Sequence, residues 1–346
     1  MSEKGTTRTS RVRLRDVADV AQVSVSVVSR VLNGDPSLRV RQEKRDRVHR
    51  VARQLGYRPN VAGRSLRTHS IGAIGVMVPK LTQPAFTELI QGVEDECEES
   101  DLTPILGRSE RLQPGSSILT RMVAEGRVDG FVLQLPEDLE ARSEIIETPV
   151  PRVLIHSHAM GLPGSVTVDT EAAVVMALDH LIELGHRNIG FATGKGHVDV
   201  AQVGEARFRQ RMTQVGLGLQ DGWITHTGFD FDAGSAAFEA LCQQGERPTA
   251  IVAGDVNLGI GILQAAVAAG IDVPGSLSLI SLHDCECAER TMPPMAAVQL
   301  PAYRLGREAV RHLREILAGG ARRAIAITDP PPQLRARGSC APPQEG

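Results

Sequence analysis

A short stretch near the N-terminus carries polar side chains of the kind that contact nucleic acid. Ser26, Ser29, Arg30 and Asn33 fall on one side of a segment whose other side is apolar. Hydroxyl and amide groups bond phosphates or base edges, and an arginine guanidinium matches the two acceptors of guanine. This set predicts contact with duplex DNA, with Arg30 as the principal base reader.

Three short helices are predicted to position these side chains. Ser24 caps a helix of about seven residues, which follows a helix from Asp16 to Ala21 and precedes one from about Gln42 to Leu55. The spacing is that of a helix-turn-helix on a three-helix core, although an ordinary helical cap can share it. Gly56 ends the third helix, and the inward positions are Val17, Ala18, Val20, Ala21, Val28, Val31, Leu32, Val48, Val51, Ala52 and Leu55.

The charge distribution separates these two interpretations. Residues 1–69 contain 16 Lys and Arg and six Asp and Glu, so their net charge is +10, and the rest of the chain carries −13 because the whole carries −3. A cationic front segment on an anionic remainder is expected where only the front meets a polyanion. The sequence therefore favours DNA binding.

Longer motifs support this interpretation. The stretch DVADVAQVSVSVVSRVLNG, followed by GYRPNVAGRSLR, resembles the lac-repressor and galactose-repressor (LacI/GalR) family of bacterial transcription regulators. The likeness continues in order through VDGFVL, VTVDTEAA, HLIELGHRNIGF, PTAIVAGD and VPGSLSLI and covers nearly the whole chain. It implies a sequence-specific regulator, more readily a repressor than an activator, whose operator binding is controlled by a small molecule.

The resemblance implies a hinge after Tyr57 that becomes helical on operator DNA. In the family, paired hinge helices enter the minor groove and a leucine wedges open the central base step; Leu66 matches this leucine and Asn60 the start of the hinge. Packing within a linker is the alternative role of Leu66. The implied DNA-binding residues are Leu14, Ser24, Val25, Ser26, Ser29, Arg30, Asn33, Asn60, Gly63 and Leu66.

Several positions depart from the family pattern. Arg13 and Arg41 stand where hydroxyl residues usually cap helices, Gln22 where Gly usually makes the turn, and Val27 where Thr usually meets phosphate. A lost cap costs roughly 1 kcal/mol, so we expect a head of low stability without DNA. Gly63 replaces a usual Ala and lowers helix propensity by about 0.8–1 kcal/mol per subunit, which predicts a disordered hinge without operator and tighter operator binding by Gly63→Ala.

From Ile71 onward, apolar runs alternate with amphipathic stretches. The runs IGAIGVMV, VDGFVLQL, RVLIHS, NIGFATG, TAIVAGD and LSLISLHD are predicted strands, and residues 86–99, 171–184 and 258–269 are predicted helices. This alternation predicts an α/β body with parallel sheets. Its length of roughly 270 residues is too great for one open sheet and suits two lobes.

The resemblance gives the full architecture, an α plus α/β chain with a periplasmic-binding-protein-like core. It implies a disordered basic tail at 1–12, a helix-turn-helix domain at 13–58 and a hinge helix at 59–69. The effector-binding and dimerisation core then covers 70–338. Its first lobe is about 70–162 plus 301–327, its second about 163–300 plus 328–338, and a disordered tail covers 339–346.

Loops after the strands are where such folds bind ligands. By the resemblance, Asp255 matches a ligand-anchoring Asp, Gln83 stands at a common Asn, and Phe86 lies near an aromatic shelf, with Phe229 and Phe231 in a further loop. Asp255 can also cap a helix, and both roles can hold. The resemblance implies an effector that is a sugar or related metabolite of unknown identity. The family's effector-gripping Arg is absent from its register, which leaves Arg207 as a conditional substitute and argues against a typical sugar or purine.

Enzyme motifs are missing from the sequence. No phosphate-binding GxGxxG opens the first strand–helix unit, and neither GxSxG nor HExxH occurs, so we predict a non-enzyme without a cofactor. A metal-responsive sensor is an alternative, because His283, Asp284, Cys285 and Cys287 lie close together in sequence and His156 and His158 follow an earlier strand. These residues lack the paired spacing of the ligands in structural metal sites. The favoured interpretation is therefore that residues 283–287 form an ordinary polar loop at the cleft and bind no metal.

The chain ends bear on location and assembly. MSEKGTTRTSRVR has no apolar segment and no run approaches membrane-spanning length, which favours the cytoplasm over an exported solute-binding protein of the same fold. Five cysteines, Cys97, Cys242 and Cys340 among them, are expected to form no disulfide framework. PPPQLRARGSCAPPQEG offers no heptad repeat for a tetramer, so we expect a homodimer on double-stranded operator DNA.

Overall fold

A computed structural model describes residues 12–32, 35, 37–57, 70–157, 162–220, 222–242 and 247–344. The chain divides into two compact units, Met1–Ile71 and Gly72–Gly346. We call residues 12–57 the head and residues 72–344 the body. Asn33 and the predicted hinge residues Asn60, Gly63 and Leu66 lie outside the described residues, as do His158 and the predicted N-terminal tail up to residue 11.

Three short helices build the head, as predicted. They are α1 (Leu14–Ala21), α2 (Val25–Leu32) and α3 (Gln42–Gln54). Val20 is 56% exposed, contrary to the prediction, because it falls outside the apolar stripe of its helix. The buried core consists of Val17, Ala18, Ala21, Val28, Val31, Leu38, Val48, Val51 and Ala52.

Local hydrogen bonds show how the head accommodates its unusual residues. The Asp16 carboxylate accepts a hydrogen bond from the Arg13 backbone N–H at 2.7 Å, which restores half of a capping box. Ser24 Oγ accepts from the Val27 N–H at 3.3 Å, which confirms the predicted cap of α2. Gln22 has φ 53°, the left-handed conformation that favours glycine, whereas Arg41 makes no side-chain cap.

The body contains two six-stranded sheets, the first of which is parallel throughout. Its strand order is β11-β5-β4-β3-β1-β2. The edge strand β2 exposes much of its surface, and a short 3₁₀ turn at Pro84–Phe86 follows β1. The strands are β1 (Ala73–Val78), β2 (Thr103–Arg108), β3 (Gly130–Leu133), β4 (Arg152–Ile155), β5 (Ser165–Val168) and β11 (Ala324–Ile327).

The second sheet has the order β12-β10-β9-β8-β6-β7. Its pairs are parallel except that β12 runs antiparallel to β10, so the predicted parallel arrangement holds for all but the last strand. The strands are β6 (Ile189–Thr193), β7 (Ile224–His226), β8 (Ala250–Ala253), β9 (Ser278–Ser281), β10 (Ala296–Gln299) and β12 (Gln333–Arg335).

Helices connect the strands and cover the sheets. In the first lobe these are α4 (Thr87–Glu99), α5 (Ile118–Ala124), α6 (Leu139–Glu147) and α12 (Ala302–Leu317). In the second lobe they are α7 (Thr170–Glu183), α8 (Asp199–Gln214), α9 (Phe231–Cys242), α10 (Val256–Ala268) and α11 (Glu286–Glu289).

Helices α4 and α12 pack at very short range through two glycines. A Cβ added at Gly306 would lie 2.1 Å from the Leu89 carbonyl oxygen, and one at Gly92 would lie 2.0 Å from that of Tyr303. Only glycine therefore permits this backbone approach, which anchors the returning helix α12 to the first lobe.

Two predicted boundaries are wrong. Residues 163–168 are predicted to open the second lobe, but β5 lies in the first sheet because it pairs with β4 and β11. The tail is predicted to be disordered from 339, yet Ser339 is fully buried. Its hydroxyl accepts from the Ala296 N–H at 2.8 Å and donates to the Leu279 carbonyl at 2.5 Å, so the segment is bonded into the second lobe.

Candidate DNA-binding face and interlobe cavity

Helix α2 presents the polar face that the sequence predicts. Ser24, Val25 and Ser26 are exposed at its N-terminal end, and Ser29 and Arg30 are half-buried one turn later. Leu14, at the start of α1, is also half-buried. The structure therefore brings the described members of the predicted DNA-binding set onto the first two helices of the head.

Arg30 is held in place by a neighbouring carboxylate. Its Nε donates to Asp35 Oδ2 at 2.8 Å and its Nη2 donates to Ser37 Oγ at 2.9 Å. Hydrogen bonds from Ser37 and Arg30 lower the pKa of Asp35 to about 2, so the carboxylate stays charged at neutral pH. Because Asp35 fixes the plane of the guanidinium, the predicted base reader has a defined orientation on the head.

A cavity lies where strand ends from both sheets of the body meet. The first lobe contributes loops after β1, β3 and β4, and the second contributes loops after β7, β8 and β9. Its volume is about 50 Å³, which is less than two water molecules occupy in the liquid at about 30 Å³ each. The lining residues are Gln83, Ala85, Phe86, Gln134, His156, Val200, Phe229, Gly254, Asp255 and His283.

Asp255 is the buried acid of this cavity. Its carboxylate accepts from the Asn257 N–H at 2.9 Å, as a cap of α10, and from Gln83 Nε2 at 3.2 Å across the cleft. Burial raises the pKa of Asp255, and the nearby His283 and these hydrogen bonds oppose that rise. The capping and cavity-facing roles that the sequence allowed for Asp255 thus coexist.

Two polar atoms at the cavity are buried and have no hydrogen-bond partner among the residues that the structure describes. These are Gln134 Oε1 and His283 Nδ1. The ring of His156 lies 6.5 Å, centroid to centroid, from both Phe86 and His283. A buried polar atom without a partner is costly, so these two atoms mark positions where a ligand hydroxyl or amide gains a hydrogen bond.

Polar contacts across the cleft hold the lobes together around the cavity. The Lys80 ammonium lies 3.1 Å from Asp230, and the Lys195 ammonium lies 2.9 Å from Glu137. Arg142 on α6 pairs with Asp199, the first residue of α8, and both side chains are nearly buried. The structure is therefore that of a closed cleft.

Not every predicted effector residue reaches the cavity. Gln83, Phe86, Phe229 and Asp255 meet there, whereas Phe231 is 46% exposed at the start of α9 and is not among the lining residues. Arg207 lies on α8, where it bonds Gln210 and borders a different groove with Asp179 and His180. It therefore does not replace the missing family arginine at the cavity.

Several residues that shape the cavity are not predicted as effector-binding residues from the sequence. Gln134 directly follows the VDGFVL motif and Val200 belongs to no quoted motif, while the sequence presents His156 and His283 only as candidate metal ligands. Gly194 is also required, because a Cβ there would lie 2.1 Å from the Phe229 ring. The one available signal was position, since each follows a strand or opens a helix at the carboxyl edge of a sheet.

Other features bear on the remaining predictions. Within the described ranges, no group of three or more His, Cys, Asp or Glu is placed to hold a metal ion. Cys285 and Cys287 are joined in a disulfide, although no pairing was expected. A search of the same ranges finds no helix of the length and apolar character that a membrane span requires.

Comparison with known proteins defines the class of this protein. The model described as "Bacterial regulatory proteins, lacI family" matches residues 13–60, and that of a "Periplasmic binding protein-like domain" matches residues 178–340. Catabolite control protein A of Priestia megaterium is 31% identical over 309 residues, which cover 88% of this chain and 92% of that protein. The chain belongs to the LacI family of DNA-binding transcriptional regulators, as the motifs predicted.

Solved structures agree in fold. A LacI family transcriptional regulator from Mycobacterium smegmatis is 33% identical, with a TM-score of 0.73 over 78% of this chain and all of that one. The lac repressor dimer bound to operator and the anti-inducer ONPF is 21% identical, with a TM-score of 0.79 over 96% of this chain and 99% of that one. The head, the two-lobed body and their order along the chain are thus those of this family, whose curated relatives are regulators and not enzymes.

Proposed function

We propose that this protein is a homodimeric repressor that acts in the cytoplasm and releases or grips its operator according to a small metabolite in the interlobe cavity. The observation that carries the proposal is the cavity itself, where loops of both lobes converge on the buried Asp255. A ligand there contacts both lobes, so its binding free energy depends on how the lobes are arranged.

The chemistry of the cavity favours a polyhydroxylated or nucleoside-like ligand. Asp255 accepts hydrogen bonds, Gln134 and His283 offer unpartnered polar atoms, and Phe86 and Phe229 supply apolar faces. Sugars and nucleosides combine hydroxyl groups with an apolar ring face in this way. Metabolite pockets usually measure about 300–1,000 Å³, so the lobes must separate to admit such a ligand into the cavity.

On the DNA side, two heads bind the two halves of a pseudo-palindromic operator. Arg30, oriented by Asp35, reads a base edge, while Ser24, Ser26 and Ser29 contact phosphates or bases from the same helix. Leu66 of each subunit enters the central base step, and Asn60 and Gly63 belong to the hinge that brings it there. The effector acts by changing whether the paired hinges can form.

The edge of the first sheet supports association through the bodies. Ile105 and Leu106 on β2 are 39% and 42% exposed, on a strand with no neighbour on one side. An edge strand with exposed apolar side chains is usually covered in the functional assembly. The lac repressor, which shares the fold, is described as a dimer, and we propose the same state for this chain.

A ligand screen on the full-length protein tests the effector site. Sugars and nucleosides are added singly and the melting temperature is recorded, since a ligand at about 100 times its Kd adds roughly 2.7 kcal/mol of stability. Asp255→Asn should abolish the shift produced by any hit. The matched control is Asp138→Asn, because Asp138 caps α6 through the Ala141 N–H but does not line the cavity. Equal shifts in both variants, or no hit among these compounds, would contradict the proposal.

A further inference from the structure

The five cysteines divide into two chemically different groups. Cys97, Cys242 and Cys340 are free, and burial raises the pKa of Cys97 and Cys340 to about 11 and raises that of Cys242 as well. Such thiols stay protonated at neutral pH and react slowly. Cys285 and Cys287 are the bonded pair, so thiol–disulfide chemistry in this protein is concentrated at one place.

The bonded pair sits at the start of α11, in the segment that leaves β9 and passes the effector cavity. Cys285 is the N-cap of α11 and Cys287 is its second residue, while His283, two residues before, lines the cavity. The carbonyl of Cys285 accepts from the Ala288 N–H at 3.0 Å, and that of Cys287 accepts from the Arg290 N–H at 3.2 Å. The disulfide therefore cross-links the first turn of a helix of four residues, which is too short to be stable by itself.

One flank of this segment is fixed independently of the disulfide. The Arg337 guanidinium bonds both oxygens of the Asp284 carboxylate at 2.8 Å, and both side chains are nearly buried. In the turn after Asp284, Ala288 is buried in the second-lobe core, and Arg337 Nη2 also donates to the exposed Glu289 at 3.0 Å. The Glu286–Arg290 pair is exposed on both sides. A disulfide that encloses a single residue constrains the unfolded chain less than any longer loop, so its main effect is local.

The disulfide-bonded cysteines line an open groove. Both cysteines are half-buried and border a groove of about 520 Å³ between the lobes, which Pro84, Ala85 and Glu88 line from the first lobe. This groove shares Ala85 and His283 with the effector cavity. A small dithiol can therefore approach the bond from the groove without the body unfolding.

We propose that Cys285 and Cys287 form a reversible dithiol–disulfide site, reduced by a dithiol, whose state sets how firmly the α11 turn is held, two residues beyond the cavity-lining His283. The thiol chemistry of this proposal is independent of the proposed function, and only its link to an effector rests on it.

The exchange is balanced in two steps. A thiolate of the dithiol attacks one sulfur of the pair, the Cys285–Cys287 bond breaks, and the released cysteine thiolate takes up a proton. The second thiol of the reductant loses its proton and attacks the mixed disulfide, which releases the second cysteine as a thiol and leaves the reductant as its own disulfide. Two electrons and two protons pass to the protein, and the reverse exchange with an oxidised dithiol restores the bond.

Thiol counting tests the chemistry on the full chain. Protein purified without reductant, then denatured and alkylated with iodoacetamide, should show three modified cysteines, and five after dithiothreitol. When dithiothreitol and then iodoacetamide are applied to the folded protein, modification should map to the peptide that contains Cys285 and Cys287. Five thiols before reduction, or a bond that dithiothreitol reduces only after unfolding, would overturn the proposal.

Hydrogen–deuterium exchange tests the structural consequence without any effector or DNA. Reduction should speed exchange at the Ala288 and Arg290 amides roughly tenfold, the order expected for losing a disulfide ring that encloses one residue, while peptides of α3 in the head stay unchanged. The control is the double variant Cys285→Ser/Cys287→Ser, which should exchange at the reduced rate with or without dithiothreitol. Equal exchange of these amides in the oxidised and reduced wild-type protein would refute the role of the bond in holding the segment.

Discussion

The head and the body of this protein distribute charge and apolar residues in opposite ways. The head has a small core of three short helices and a cationic surface, while the body has an anionic composition and large buried clusters around two sheets. The proposed DNA contacts of the head are centred on the polar face of one helix, whereas the proposed effector site of the body is a cavity assembled from loops far apart in sequence. Substitutions of surface side chains should therefore affect mainly the function of the head, and substitutions of tightly packed residues should affect mainly the stability of the body.

The largest effect is expected where the body packs most tightly. Gly306→Ala forces a Cβ against the Leu89 carbonyl and should lower the free energy of unfolding of the body by about 4 kcal/mol. Gly218→Ala is the matched control, because a Cβ there meets nothing within 4 Å. Calorimetry of the full chain should show the body's transition shifted by Gly306→Ala alone, with the head's transition unmoved. A shared shift would mean that head and body do not unfold separately.

Next in size is the buried ion pair across the cleft. Arg142→Met leaves Asp199 charged and nearly buried, and should cost roughly 3 kcal/mol of body stability. Lys80→Met removes the exposed ion pair between Lys80 and Asp230, whose side chains are 44% and 50% exposed. This variant should lose less than about 1 kcal/mol of body stability. Urea unfolding of both variants gives the comparison, and equal losses would contradict the assignment of Arg142 as the stronger contact.

A smaller effect concerns the pH dependence of the body. Because burial raises the folded pKa of Asp255 above its ordinary 3.8, the folded state binds more protons than the unfolded state between those two values. Stability contributed by this group is therefore present at low pH and falls as pH rises through the folded pKa. Asp255→Asn should flatten this fall and raise neutral-pH stability by about 1 kcal/mol. Chemical denaturation of the wild type and of Asp255→Asn from pH 4 to 8 measures the pH dependence and the stability at neutral pH. An unchanged pH profile would show that Asp255 does not cause the fall in stability.

The smallest effect is expected in the head. Gln22→Gly relieves a left-handed conformation and should raise head stability by about 0.5–1 kcal/mol, whereas Gln22→Ala keeps the Cβ and should bring no gain. Thermal unfolding followed at the head's transition distinguishes the two variants. If Gln22→Ala stabilises the head as much as Gln22→Gly does, backbone strain at this position does not limit the stability of the head.

The sequence predicted the head more completely than the body for a physical reason. Helix caps, an apolar stripe and a turn are local, so Ser24 and Gly56 could be identified from their neighbours alone, and Gln22 from its place in the family's turn. Asp255 could be identified because it lies two residues after the buried strand β8 and matches the family's ligand-anchoring Asp. Gln134 directly follows the buried strand β3 and Val200 lies at the start of α8, but neither role could be predicted, since both depend on which strand ends the sheet order brings together.

The wrong predictions also concern contacts between residues far apart in the chain. Residues 163–168 were expected in the second lobe because chain order gives no sign that β5 pairs with β4 and β11. The C-terminal segment was expected to be disordered from its Pro and Gly content, but Ser339 satisfies buried backbone groups that no local pattern reveals. Arg207 lies one helical turn from the expected register and faces another groove.

The central claim is that the cationic head grips duplex DNA as a symmetric pair under control of the body. Selection of genomic fragments by the full-length protein, followed by affinity measurements against random duplex over a range of salt concentrations, tests it most directly. The account predicts fragments with two half-sites related by two-fold symmetry, bound at least about 10³ times more tightly than random duplex, with log affinity falling linearly with log salt. Equal affinity for selected and random duplex at every salt concentration, with and without the screened metabolites, would contradict it.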